Sequence, residues 1–307
     1  MNLPPMLLSL LQLAAFLVLP PLLVGVVNRV KSVAGGRTGP PLLQPYLDLR
    51  RLLAKGAVYS RTTTWVFRAG PVVGLAAVAT AGLLMAFGGA PSLLSFTGDF
   101  VLFAYLLGLA RFFTALAALD TGSSFEGMGA AREVTFASLA EPALFLCLVV
   151  LARATGALSL SQMLGEGLAG AWRSDGPALL LVALALFVVA LAENSRIPVD
   201  DPNTHLELTM IHEVMVLDHS GPDLAFILYG ASLKLFLFGA LVVRLALGFR
   251  FPGPWTAFGA FLLGMAGFAV LVGLVESAMA RLRLSRVPQM LVGASVLSVF
   301  ALVLLLR

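Results

Sequence analysis

Apolar residues run in long, nearly unbroken stretches along this chain, and each stretch ends in a short polar segment. A helix needs about 20 apolar residues to cross the hydrocarbon core of a bilayer. Eight stretches qualify, near residues 3–27, 67–88, 98–119, 133–153, 177–193, 223–247, 255–280 and 287–306. The expected fold is therefore all-α: a polytopic membrane protein with about eight transmembrane helices in a single integral membrane domain spanning 1–307. The fifth stretch is short, and its start near Pro177 is the least defined. The first contains the pair Pro20–Pro21. It lacks a basic leading region and exceeds the apolar length of a signal peptide, so it reads as a retained span.

Composition agrees with this pattern. The chain is 59% hydrophobic and 12% charged, whereas soluble domains carry about a quarter charged residues. The formal net charge of +4 is small. In a membrane protein such basic residues mark cytoplasmic loops rather than nucleic-acid binding. The single cysteine, Cys147, sits in an apolar run and excludes both an intrachain disulfide and a Cys-held cluster within this chain. No P-loop or GxGxxG motif is present.

The basic residues set an orientation. The segments near 28–66, 120–132, 192–222 and 281–286 carry Arg29, Lys31, Arg37, Arg50, Arg51, Lys55, Arg61, Arg132, Arg196, Arg281, Arg283 and Arg286. The opposite loops carry only Arg153, Arg173 and Arg250. The first group is expected to face the cytoplasm, with both termini on the outer side of the cytoplasmic (inner) membrane.

Polar chemistry concentrates in one of these segments, "AENSRIPVDDPNTHLELTMIHEVMVLDHSGP", which contains all 3 histidines of the chain. Two prolines and paired aspartates begin it as an irregular loop. Thr204 followed by Glu207 fits a capping box, and a helix from about His205 to Leu217 is expected to follow. On that helix His205, Thr209, His212 and Glu213 share a stripe, while Ile211, Val214 and Leu217 face away. Three readings stand: a surface helix at the lipid headgroups, a docking or proton-handling element, or a metal site. No HxxxH or HExxH pairing supports the last. In the first loop, "YLDLRRLLAKG" reads as a basic amphipathic helix lying on anionic lipid or on a protein partner.

Ionisable groups inside the membrane cost about 2.5–3.5 kcal/mol each on insertion scales, so each invites a functional reading. Arg111, Glu141, Lys234 and Glu276 fall within predicted spans, and Glu133 and Glu193 at their cytoplasmic ends. Arg111 and Glu141 each lie about two turns below the cytoplasmic surface, roughly 12 Å deep. This inward clustering predicts a polar funnel beneath the cytoplasmic loops. The alternative is a static ion-pair network, for example Glu141 with Lys234.

Three stretches carry a resemblance: "GPPLLQPYLDLRRLL", "GSSFEGMGAAREVTFASLAEP" and "AENSRIPVDDPNTHLELTMIHEVMVLDHSG". They look like the membrane-anchor subunit of group 4 NiFe hydrogenases of the formate hydrogenlyase and hydrogenase-4 type, itself similar to complex I subunit 1. The resemblance implies a non-catalytic subunit that anchors a peripheral arm. That arm holds the NiFe large subunit and an iron–sulfur small subunit. The resemblance also implies a link to antiporter-like membrane subunits, and no cofactor in this chain. Against the complex I pattern, Glu193, Arg196, Pro198, Asp200, Glu207 and Leu208 match. His205 replaces an acidic residue, and "TMIHEVM" departs altogether. These departures agree with the hydrogenase branch, in which protons rather than quinone take the electrons. The implied proton path comprises Glu141, Lys234, Arg111, Glu133, Glu193, Glu207 and Glu213. The implied docking residues are Asp200, Asp201, Arg37, Arg51, Arg196, His205 and His212. The alternatives are a quinone-site subunit of a complex I-like NADH dehydrogenase and, behind it, a stand-alone ion transporter. No inverted repeat of the transporter kind is visible.

Overall fold

The computed structural model describes residues 5–165, 167–200, 210–248 and 251–306. Among these, the helices are α1 (Pro5–Val18), α2 (Pro20–Ala34), α3 (Gln44–Leu53), α4 (Trp65–Leu83), α5 (Asp99–Asp120) and α6 (Ser124–Thr155). They continue with α7 (Leu160–Met163), α8 (Gly167–Glu193), α9 (Gly221–Ala246), α10 (Pro254–Ala278) and α11 (Val287–Leu305). Seven are long and apolar enough to span a membrane, and the bent pair α1–α2 brings the total to 8.

The expected first span is thus a bent pair of helices, broken at its Pro20–Pro21 pair. The two halves meet at 50°. Proline lacks the N–H that a helix donates four residues back, so Pro21 leaves the Leu17 carbonyl free. The Tyr229 hydroxyl of α9 donates to that carbonyl at 2.6 Å, and the Tyr46 hydroxyl of α3 donates to the Val18 carbonyl. The break is thus held open by hydrogen bonds from two other helices.

Local capping sets several boundaries. At the start of α4, the Thr64 hydroxyl accepts from the Val66 N–H. The Asp120 carboxylate, at the end of α5, accepts from the Thr64 and Phe67 N–H groups at 2.6 and 3.2 Å. An acid here also suits the positive end of the helix dipole. At the other end of the bundle, the buried Asp99 accepts from the Ser159 hydroxyl at 2.7 Å and the Leu160 N–H at 2.6 Å.

Two further departures bear on function. Residues 124–132, expected to be loop, are the first turns of α6, which runs for 32 residues. The described part of the predicted 205–217 helix is a single 3-10 turn over Glu213–Val216. Ile211, Val214, Met215 and Val216 are all buried. A headgroup helix would keep one face in water, but this segment is enclosed by protein. Gly129 of α6 permits the close approach, since a Cβ there would collide with the Val214 side chain. The predicted capping box, with Thr204 and Glu207, lies outside the described residues.

Candidate functional site: a buried charge network

Five charged side chains from four helices meet near the end of the bundle that carries residues 194–200 and 210–220. Arg111 projects from α5, Glu133 and Glu141 from α6, Glu193 from the last residue of α8, and Lys234 from the middle of α9. Arg111 donates through Nη1 to Glu141 and through Nη2 to Glu193. Its Nε lies 3.3 Å from Glu133 Oε1, close enough for an ion pair but outside hydrogen-bond alignment. Lys234 Nζ sits 2.9 Å from Glu193 Oε2. Two cations against three carboxylates leave a formal charge of minus one. The expected Glu141–Lys234 pair is not formed, because the Arg111 guanidinium is the partner of Glu141 and Lys234 turns to Glu193.

Burial differs sharply across the network. The side chains of Arg111 and Glu193 are 8% and 2% exposed, and that of Glu141 is 49% exposed. Charges in an apolar interior are tolerable only when paired, and the deep members satisfy that rule. Glu141 faces outward from the α5–α6 seam, beside Tyr105 and Phe145, within the span of α6.

Small cavities lie among these groups. One of about 90 Å³ is lined by Arg111, Glu133, Glu193, Lys234, Ser195 and His212. A second, of about 20 Å³, lies among Glu133, Glu193, Ser195 and Asp200. A third, of about 50 Å³, extends from Arg111 and Glu193 to Glu141 and Tyr105. Glu193 lines all three, which lie between the His212 segment and the lateral face at Glu141. Burial lowers the pKa of His212, with Glu133 and Asp200 pulling it back up and Lys234 and Arg111 pushing it further down. A neutral imidazole there can accept a proton from one side and pass it on.

The loop geometry that presents His212 comes from Asp200. Its Oδ2 accepts from the Ile211 and His212 N–H groups, each at 3.1 Å, and its Oδ1 lies 3.0 Å from Arg281. Ser195 adopts a left-handed backbone (φ 49) to turn the chain after α8. Arg196 reaches back to Glu276 of α10 at 3.4 Å, and Lys31 of α2 contacts the same carboxylate at 2.8 Å.

Of the residues assigned to a proton path, Arg111, Glu133, Glu141, Glu193 and Lys234 are thus brought together. Glu213 lies in the adjacent turn, and Glu207 is outside the described residues. The docking set divides. Arg37 and Arg51 are exposed, whereas Arg196, Asp200 and His212 serve internal contacts, with Asp200 only 2% exposed. Asp201 and His205 lie outside the described residues. Sequence reasoning missed Lys31 and Arg281 as partners of Glu276 and Asp200. It read both only as markers of orientation, and their pairings join segments far apart in the chain. It also missed Glu126, buried at the start of α6, whose carboxylate accepts from the Asp218 N–H at 3.0 Å. Among the described residues, no group of 3 or more His, Cys, Asp or Glu is placed to hold a metal ion.

The family model described as NADH dehydrogenase matches residues 6–306. The chain belongs to the NADH dehydrogenase family. This NADH dehydrogenase family chain is 34% identical to hydrogenase-4 component C of Escherichia coli (strain K12) over 244 residues, covering 78% of this chain and 75% of the relative. It is 30% identical to formate hydrogenlyase subunit 4 of the same organism over 286 residues, covering 91% and 92%. An NADH-quinone oxidoreductase subunit of Rubrobacter xylanophilus is 29% identical over 228 residues, covering 73% and 68%. A chain of the membrane-bound sulfane sulfur reductase, an archaeal respiratory membrane complex, superposes with a TM-score of 0.82 over 98% of this chain and 99% of that chain. At 18% identity that likeness speaks for the fold alone.

Proposed function

We propose that this chain is a non-catalytic membrane subunit of a hydrogenase complex of the formate hydrogenlyase or hydrogenase-4 kind. It anchors a peripheral arm that holds the NiFe centre and iron–sulfur clusters in partner subunits. It also relays protons from the cytoplasmic side toward a neighbouring antiporter-like membrane subunit. The similarity to hydrogenase-4 component C and formate hydrogenlyase subunit 4 supports the class of complex. Among the described docking candidates, Arg37 and Arg51 are the exposed ones, Arg51 lying 3.7 Å from Asp48 on the same helix, and both are available to the arm.

One observation carries the relay. Glu141 is half-exposed on the side of the bundle, within a membrane span, and bonded to the buried Arg111. Lipid does not tolerate a carboxylate at that depth without cost, so another membrane protein is the fitting neighbour. The quinone-site alternative draws on the likeness to the NADH-quinone oxidoreductase relative. The cavity at the network, about 90 Å³, is small beside the ~300 Å³ or more typical of ligand pockets and favours water over a quinone ring.

Glu141→Gln tests the relay. The variant is nearly isosteric and still bonds to Arg111 or water, so the complex should assemble and keep its hydrogenase activity with a soluble dye. Proton translocation coupled to turnover in vesicles should fall by about tenfold or more, the scale of losing one proton-transfer group. Unchanged coupled translocation would leave Glu141 as a static ion-pair partner.

A further inference from the structure

We propose that the large pocket at the end of the bundle opposite the Arg111 network binds the phosphate of an anionic lipid, with Arg244 as its anchor. The pocket has a volume of about 730 Å³ and is lined by Arg244, Ser161, Gln162, Leu247, Phe251 and Pro254, among others. Arg244 lies in the last turn of α9. Its Nη2 donates to the Leu164 carbonyl. Its Nε is buried without a hydrogen-bond partner, and no carboxylate pairs with it among the described residues. Five cations at the other end behave differently: Lys31, Arg111, Arg196, Lys234 and Arg281 each face a carboxylate.

Three features make the missing partner an anion from outside the chain. No described residue lining the pocket is acidic. The 25-residue helix α10 begins in the pocket wall at Pro254, so its positive end adds to the field of Arg244. A guanidinium matches a phosphate with paired donors. The depth favours lipid over a soluble anion. Trp172, whose indole N–H donates to the Leu245 carbonyl at 2.8 Å, and the half-exposed Trp255 flank this end. Tryptophans of this kind sit at headgroup level. Leu247 and Phe251 supply an apolar wall for the start of an acyl chain.

The test uses the full chain purified in detergent. Phosphatidylglycerol, phosphatidylcholine and inorganic phosphate are each titrated while native mass spectrometry counts retained lipid and thermal unfolding is followed. Wild type should retain phosphatidylglycerol over phosphatidylcholine and gain in Tm with the former only. Arg244→Gln should lower phosphatidylglycerol retention about tenfold, and Arg244→Lys by less, since lysine keeps charge but not the fork. Gln162→Trp fills the pocket from an exposed position and leaves Arg244 in place. It should abolish retention even if Arg244→Gln does not fold. Equal retention of both lipids by wild type, or equal phosphatidylglycerol retention by Arg244→Gln or Gln162→Trp, overturns the proposal. An Arg244-dependent Tm gain with inorganic phosphate but not with phosphatidylglycerol overturns the lipid assignment in favour of a free anion. Lipid uptake seen only after Glu166→Gln also overturns it, because the carboxylate that follows Gly165 in the chain would then be the natural partner of Arg244.

Discussion

Arg111 faces three carboxylates at once, and this gives single substitutions in the network large and asymmetric effects. Arg111→Met should destabilise the protein by about 3–5 kcal/mol, the cost of leaving buried charges without a partner. Thermal unfolding in detergent would register it as a large fall in Tm. Adding Glu133→Gln to that variant should recover part of the loss, since Arg111 is its cation and Glu193 still has Lys234; an additive further loss would contradict this account. A second residue-scale expectation concerns His219. Its ring stacks on Phe67 at 3.9 Å, and burial lowers its pKa below the ordinary 6.5, with Asp223 and Asp218 pulling it partly back. The unfolded chain then binds a proton that the folded chain refuses. The stability present above pH 6.5 is lost as pH falls from there toward the folded pKa. Tm measured from pH 7 downward should fall less steeply for His219→Phe than for wild type.

At the scale of elements, the 3-10 turn over Glu213–Val216 depends on the first turns of α6. Gly129→Leu alters no charged residue, yet its side chain would strike Val214 and Met215 and lift the segment that carries His212. Amide hydrogen exchange over residues 211–216 should rise by about tenfold or more in this variant. If exchange is unchanged, α6 does not hold the segment. Sequence reading found the spans here because burial in lipid demands long apolar runs, whatever their packing. It placed α5, α9, α10 and α11 within a few residues of their observed ends. It misread the first turns of α6 and the His212 segment for a common reason. "SFEGMGAAR" has no long apolar run, and its helix is stabilised by a segment some eighty residues away that no local pattern reveals. The stripe His205, Thr209, His212 and Glu213 assumed a free helix face, whereas Asp200 fixes the backbone at His212 through side-chain hydrogen bonds.

The whole bundle sorts its described loops to two ends. The Leu282 N–H donates to the Pro198 carbonyl at 2.9 Å, and Val58 N–H to the Ser220 hydroxyl at 3.0 Å, so three of the basic segments share one end. The Gly98 N–H donates to the Leu158 carbonyl at the other. Cysteine at the exposed Ser60 should be protected from an impermeant thiol reagent in intact cells, and cysteine at the exposed Ser174 should react. The reverse labelling would invert the orientation. That Arg111, Glu141 and Lys234 lie within long apolar helices was legible from position alone. Which carboxylate meets which cation was not, because pairing depends on helix rotation and neighbours rather than on position along a span. The break at Pro20–Pro21 adds a dimension of time. The hydroxyl that serves the Leu17 carbonyl belongs to Tyr229, 212 residues later in the chain. During synthesis the first hydrophobic segment therefore enters the membrane with its kink unsupported and is completed only after α9 emerges. Chains truncated before α9 should therefore keep the Leu17 carbonyl without its Tyr229 partner.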